Sequence, residues 1–367
     1  MRVPHVAFLG AGSFAAAHAF ALSALAHHYP DAPRPVRVAV ASGTGPKARS
    51  FADRHGFAHV LSSEELWDRD DIDTLFVVSP NRLHHDHLTR ALASESIERI
   101  YVEKPVCVTE AEEASLAGAV RSPGRVRVVQ AGFQFLQMTS IRRALILWRR
   151  GELGRPVHFV ARYLHGGYLD PEYRAVRGPR LAPTPEGGAL VDLGSHALSL
   201  LVAFLGDGLE VVAARSSGRF PDVPLRSDLC TTVMLEDSRS GAGGTVTASR
   251  VSAGSGDLLE LELWCENGCL RVSTGRPDVV EILRGPHCGE SSRIHCGSDY
   301  GPVSRFPAAT APPGWLRSLV HAHYLFFGGS DPDALVPDLG HALAVQRLLG
   351  RSATQLDQRW NRTPQNM

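Results

Sequence analysis

The tightest constraint in this 367-residue chain lies in its first twenty residues. An apolar run, Val6 to Leu9, stops at Gly10 and gives way at Ser13 to a helical stretch of small residues. Gly10, Gly12 and Ala15 fill the pattern G-x-G-x-x-G/A directly after that strand. Gly10 permits a tight turn, Gly12 lets a pyrophosphate approach the backbone, and Ala15 allows close helix–strand packing. A helix starting at Ser13 and Phe14 adds unpaired N–H groups and a favourable dipole for an anion. The pattern alone also describes a plain strand–helix turn in an Ala/Gly-rich chain, so the rhythm of the downstream residues must decide.

Short apolar runs there alternate with helical stretches. "HVAFLG" precedes a helix over Ser13–Ala26, and "VRVAVAS" precedes one through Ala48–Arg54. "TLFVVSP" precedes a helix near His84, "RIYVEKP" one near Glu110, and "RVRVVQAGF" closes the series. Continuous apolar strands alternating with helices predict a parallel sheet covered on both faces. After Gly151 the runs become strand-like and turn-punctuated, with "CENGC" reading as an Asn-Gly hairpin. The predicted fold is α/β: a Rossmann parallel sheet, then an α/β domain with a large, mainly antiparallel open sheet. The expected domains are 1–130 for dinucleotide binding and 131–355 for substrate binding and oligomerisation, with a tail over 356–367. One helix near Gly188 interrupts the second sheet, and two C-terminal helices, Gly314–Phe327 and Asp333–Gly350, return to the first domain.

Formal net charge is zero, 38 acidic against 38 basic residues, which argues against a nucleic-acid or anionic-membrane binder. Six scattered cysteines and the lack of an apolar span or export signal point to a cytoplasmic protein with reduced thiols. Of the 38 basic residues, lysine stands only at Lys47 and Lys104. Arginine has replaced it wherever charge alone is needed, as under a GC-rich coding bias, so the two survivors carry information. Lys47 falls beside the end of the second strand, where Ser42, Gly43 and Thr44 offer hydroxyls and no carboxylate. An acidic residue there would bond the ribose of NAD; hydroxyls and a cation suit the 2′-phosphate of NADP. The alternative is that Lys47 and Arg49 are exposed helix-start residues.

"EGGALVDLGSHALSLL" places Asp192 and His196 four apart, on one face of a helix. A carboxylate beside an imidazole describes a general base, or equally a structural bond. "HHDH" at 84–87, His287–Cys288 and His295–Cys296 lack metal-ligand spacing, so no metal is expected. The adjacency of Ser195 and His196 and the missing G-x-S-x-G elbow argue against a Ser195–His196–Asp192 hydrolase.

In order and spacing, "GAGSFAAAH", "VVSPNRLHHDHL", "EKP" and "GGALVDLGSHAL" resemble the glucose–fructose oxidoreductase / inositol dehydrogenase (Gfo/Idh/MocA) family of sugar and polyol oxidoreductases. The resemblance covers most of the chain. It implies that Lys104 is the active-site lysine, within a Glu103-Lys104-Pro105 signature whose last bond can be cis, and that Asp192 and His196 complete the catalytic set. It places Ser79, Pro80, Asn81 and His84 along the cofactor, and a homodimer or homotetramer on the open sheet. The implied activity is that of an NAD(P)-dependent dehydrogenase or ketoreductase of a sugar, aminosugar or cyclitol hydroxyl, as in antibiotic biosynthesis. A nicotinamide-using glycosidase and a non-catalytic NADP sensor are the alternatives. The chain departs from the family at Gln134, Phe135 and Gln137, where a basic stretch is usual. Gln134, Tyr163, His165, Tyr173, Arg174 and Arg180 are candidate substrate contacts, the last five in a long loop over 163–185 that reads equally as surface.

Overall fold

The computed structural model describes residues 3–43, 45–120, 125–181, 187–217, 220–223, 227–287, 289–297, 300–302 and 313–362. Thr44, Cys288 and the 182–185 part of the long loop lie outside the described residues. The chain divides into two units. The first holds Met1–Cys107, Ala111–Thr139 and Gly297–Leu343; the second holds Val108–Glu110, Ser140–Cys296 and Ala344–Met367.

The first unit alternates β1 (His5–Leu9), α1 (Ser13–His28), β2 (Val36–Ala41), α2 (Gly45–His55), β3 (His59–Leu61), α3 (Ser63–Trp67), β4 (Thr74–Val77), α4 (His84–Ala93), β5 (Arg99–Val102), α5 (Glu110–Ala119) and β6 (Val128–Ala131). The strands form one sheet in the order β3-β2-β1-β4-β5-β6, parallel throughout. Val6 to Leu9, Leu75 to Val77 and Ile100 to Val102 are all buried, as strands covered on both faces must be. β1 pairs β2 on one side and β4 on the other, so the crevice where strand order reverses lies at their carboxyl ends. The short α3, absent from the periodicity reading, is fixed by a capping box between Ser62 and Glu65.

The boundary expected at residue 130 is displaced. Residues 131–139 and 297–343 belong to the first unit, including α9 (Trp315–Phe326). Packing explains it: Leu319, Val320 and Phe326 of α9 share one buried cluster with Phe8, Ala15, Leu22 and Phe76.

In the second unit α6 (Thr139–Arg149) leads into β7 (Pro156–His165), α7 (Pro171–Val176), α8 (Ser195–Leu205), β8 (Leu209–Ser217), β9 (Cys230–Asp237), β10 (Gly243–Ser249), β11 (Asp257–Cys265), β12 (Gly268–Ser273), β13 (Arg276–Arg284) and β14 (Glu290–His295). α10 (Leu339–Arg362) starts in the first unit and ends in the second. The eight strands run β14-β13-β12-β11-β7-β10-β9-β8, antiparallel except for the central β7–β10 pair. Alternate residues, among them Phe159, Ala161, Val246, Ala248, Leu261 and Leu263, are buried, and α8 packs on β7, β10 and β11. Between them, on the other face, Arg162 pairs Glu260 and Arg271 pairs Glu262. The "CENGC" hairpin is present one residue out of the expected register. Cys265 pairs Gly268, leaving Glu266 and Asn267 as the turn, and a Cβ on Gly268 would lie 2.3 Å from the Leu283 carbonyl oxygen.

No helix is long and apolar enough to cross a membrane among the described residues. His28, at the end of α1, is buried beside Arg317 and His27, and burial first, then their charge, pushes its pKa down to about 4. The unfolded ring titrates near 6.5, so the unfolded chain takes up the proton first. Its contribution to stability is therefore complete above pH 6.5 and is lost as the pH falls toward 4. Urea midpoints at pH 7.5 and 4.5 should differ less in His28→Gln than in wild type; an unchanged difference would show that His28 has no part in acid sensitivity.

Candidate functional site

The exits of β1, β2 and β4 meet at Gly10. Its φ is +121°, its N–H donates to Ala41 O at 2.8 Å, and a Cβ there would lie 2.4 Å from Val78 O. Only glycine fits. Gly12 is the N-cap of α1 without a side-chain cap, the first turn holds no acid, and nothing lies within 4 Å of where its Cβ would be. Ser13 begins the helix, Phe14 stacks on Trp315 at 6.1 Å, and Ala15 is fully buried. An uncapped helix start beside open space fits a dinucleotide pyrophosphate, which Gly12, Ser13 and Phe14 would hold. At the exit of β2, Ser42 is half-buried, Gly43 and Lys47 are exposed, and no carboxylate stands at the strand end.

Beyond β4 come Ser79, Pro80 and a 3-10 turn over Asn81–Leu83. His84 was expected along the cofactor. It is buried, with Nδ1 2.6 Å from Pro105 O and Nε2 2.7 Å from Ser79 O, so both ring nitrogens are engaged by backbone. Burial holds its pKa below the ordinary value. His84 thereby ties the exits of β4 and β5 together. Lys104 is half-buried at the end of β5, and the Lys104–Pro105 bond is cis. Glu103 also points away from solvent: Oε2 accepts the Lys104 N–H at 3.3 Å, and Oε1 lies 3.0 Å from His18 Nε2. His18 Nδ1 lies 2.8 Å from Nε2 of His323, whose pKa burial pushes well down. His18 and His323 were missed; the sole sign was one imidazole in an alanine-rich turn. Gln134, expected at the substrate, is 3% exposed, and its Oε1 is buried without a hydrogen-bond partner.

In the second unit Gly188, with φ +90°, opens the segment predicted as a helix. Asp228 anchors it, accepting Ala189 N–H on its carbonyl at 2.9 Å and Leu190 N–H on Oδ2 at 2.8 Å. The segment is helical from Gly188, widens into a π-helical turn over Leu190–Gly194 and is α-helical again from Ser195. Such turns recur at functional sites. Asp192 sits on the π turn and His196 in the first turn of α8, 5% exposed. A Cβ on Gly194 would come within 3.3 Å of Ala248 Cβ, so the glycine lets the turn lie close on β10.

Asp192, expected to orient His196 or to bind the substrate hydroxyl, has an Oδ2 that receives two guanidiniums, Arg250 Nη2 at 2.9 Å and Arg180 Nη1 at 3.3 Å. Tyr163 is buried with its ring 5.8 Å from His196, and burial raises its pKa, keeping the phenol protonated. His165 Nδ1 accepts the Gly167 N–H at 2.7 Å, which leaves its own proton on Nε2; burial lowers its pKa. Arg174, a candidate substrate contact, has partners within its own unit. It is 5% exposed, bonds both oxygens of Asp222 at 2.8 Å, and donates to the Tyr168 and Leu169 carbonyls. Its guanidinium holds α7 in place and has little left for a substrate. The second unit thus gathers Asp192, His196, Tyr163, His165, Arg180 and Arg250, while Arg174 is engaged elsewhere. Together they supply an ionised acceptor, an imidazole and a neutral phenol. Arg250, which no motif marked, is the functional candidate that sequence reasoning missed here.

A family model described as an oxidoreductase family with an NAD-binding Rossmann fold matches residues 5–132, and the GFO/IDH/MocA C-terminal domain model matches 141–271. The chain is 25% identical to the uncharacterized oxidoreductase YrbE of Bacillus subtilis over 64% of this chain and 66% of that one. It is 31% identical to the dTDP-3,4-didehydro-2,6-dideoxy-alpha-D-glucose 3-reductase of Streptomyces antibioticus, over 48% of this chain and 51% of that one. These matches therefore span about half to two-thirds of the length of the curated relatives. An NAD-binding oxidoreductase from Klebsiella pneumoniae superimposes with a TM-score of 0.80 at 25% identity, covering 97% of this chain and 98% of the other.

Gly10→Ala should destabilise the fold by roughly 1–3 kcal/mol, because both φ and the Val78 contact forbid a side chain. Gly12→Ala should unfold as wild type does but bind reduced nicotinamide nucleotide about tenfold more weakly. Thermal midpoints and fluorescence titrations check the pair. Unaltered binding by Gly12→Ala would remove the pyrophosphate from this turn.

Proposed function

The chain belongs to the GFO/IDH/MocA oxidoreductase family, and from that premise we propose that it is an NAD(P)-dependent dehydrogenase or ketoreductase of a secondary hydroxyl on a sugar, aminosugar or cyclitol. The observation that carries the reading is Lys104. One of two lysines in the chain, it stands half-buried where β5 leaves a dinucleotide-binding sheet.

When bound, the nicotinamide takes up or gives back the hydride. Lys104 places a compact ammonium at the reacting oxygen, where it stabilises developing alkoxide and can exchange a proton. A guanidinium is bulkier and does not deprotonate, which is why arginine has not replaced it. His196 accepts the hydroxyl proton in oxidation and returns it in reduction. Asp192, paired with Arg180 and Arg250, acts as a carboxylate.

Ser42 and Gly43 without a carboxylate, and Lys47 on the next helix, support a preference for NADP(H). The similarity to a deoxysugar 3-reductase supports a sugar ketone as one substrate class and, with the arginine-rich composition, a place in antibiotic biosynthesis. The open face of the second sheet, with Met234 52% exposed, is the surface on which a homodimer or homotetramer would form, and the reading places the enzyme in the cytoplasm.

Fluorescence titration of NADPH and NADH into wild type and Lys104→Arg, followed by turnover with a polyol panel, tests the assignment. NADPH should bind more tightly than NADH, Lys104→Arg should keep that affinity within about twofold, and its kcat should fall about 10²-fold or more. Near-normal kcat in the arginine variant would show that charge alone suffices. Tighter NADH would mean that Ser42 bonds a plain ribose.

A further inference from the structure

The geometry points to Arg250 as a positioning residue that holds the Asp192 carboxylate ionised and in place, and that acts on the substrate only through it. The kinetic consequence rests on the oxidoreductase reading above; the clamp itself rests on the coordinates of the second unit. Arg250 directly follows β10, whose Ala248 packs against the Gly194 end of the π turn. That packing brings the guanidinium to Asp192. Nη2 donates to Oδ2 at 2.9 Å, Nη1 donates to the Arg180 carbonyl, and Cζ lies 4.8 Å from the centre of the Tyr168 ring. The side chain is fixed on three sides and 1% exposed, and its Nε is buried without a hydrogen-bond partner among the described residues. Arg180, itself exposed, adds a second guanidinium to the same oxygen.

A buried guanidinium does not shed its proton and must have a counter-ion. Asp192 is the carboxylate that Arg250 meets, so protonating Asp192 would leave a buried cation uncompensated. Asp192 is thereby confined to accepting hydrogen bonds. The Asp192 side chain keeps 27% of its surface exposed, enough to reach a ligand hydroxyl. Arg250 has no such exposure and reaches a substrate only by what it does to Asp192. A group confined to accepting can bind and aim a hydroxyl but cannot supply the reaction's proton, which leaves that transfer to other groups.

The test compares Arg250→Gln, Arg250→Lys, Asp192→Asn and the Asp192→Asn/Arg250→Gln double variant with wild type. It measures thermal midpoint, NADPH affinity and kcat and KM for a sugar or cyclitol. Arg250→Gln and Asp192→Asn should each lower kcat/KM by about 10²-fold, mostly through KM, with NADPH affinity within about twofold of wild type. Because Arg250 works through Asp192, the double variant should be no worse than the poorer single variant, in kcat/KM and in midpoint. Arg250→Lys should recover part of the lost kcat/KM. Should Arg250→Gln fail to fold, the double variant, which lacks both charges, and Arg250→Lys carry the comparison. A lowered midpoint with unchanged kcat/KM, or losses that multiply in the double variant, would overturn the proposal. A wild type that turns over nothing would refute the oxidoreductase reading instead, and the midpoints then decide the clamp: non-additive losses uphold it, additive losses overturn it.

Discussion

Backbone crowding where β1 ends governs the first unit. The Val78 carbonyl and the Ala41 carbonyl close in on Gly10 from the two neighbouring strands. The chain leaves β1 by a conformation that only glycine adopts without strain, and it starts α1 at once. Because α1 begins there with no side chain capping it, its N-terminal N–H groups are presented at the crevice where strand order reverses. The same tight entry lets Ala15 and Leu22 pack against Phe8 and Phe76, and α9 completes that cluster. An uncapped helix start at the crevice and a hydrophobic core are thus two consequences of one steric restriction.

The second unit depends on an analogous restriction. Asp228 takes the first N–H groups of the segment after Gly188, and Gly194 lets that segment lie against Ala248. The result is a π-helical turn on β10, with Asp192 brought to the arginine that comes after the strand. Two charged groups distant in sequence become partners through close packing of small residues.

These two cases show what was legible in the sequence. The parallel sheet, its glycine turn and the change to a mainly antiparallel sheet followed from strand periodicity and from glycines with a local role. The cis bond at Lys104–Pro105 followed from the family resemblance. Side-chain partnership between remote segments did not follow. The family resemblance set His84 along the cofactor, but nothing local showed its bond to a carbonyl 21 residues away. Arg174 looked available because its loop is long and polar, yet Asp222 occupies it. Arg250 and His323 had no local pattern at all, since each acquires its role from a strand end or helix face packed against another element. The four-residue spacing of Asp192 and His196 was correct as a count, but it could not reveal the π turn or the two guanidiniums.

The central claim is that this chain moves hydride, with net turnover, between a nicotinamide nucleotide and a carbinol carbon. The most direct measurement supplies NADPH deuterated at C4 with a panel of keto sugars and keto cyclitols and follows the label by mass spectrometry. The account predicts a product carrying deuterium on carbon, formed in step with oxidised nucleotide. A product without deuterium on carbon across the panel, whichever C4 face carries the label, or label exchanged without net oxidation, would contradict it.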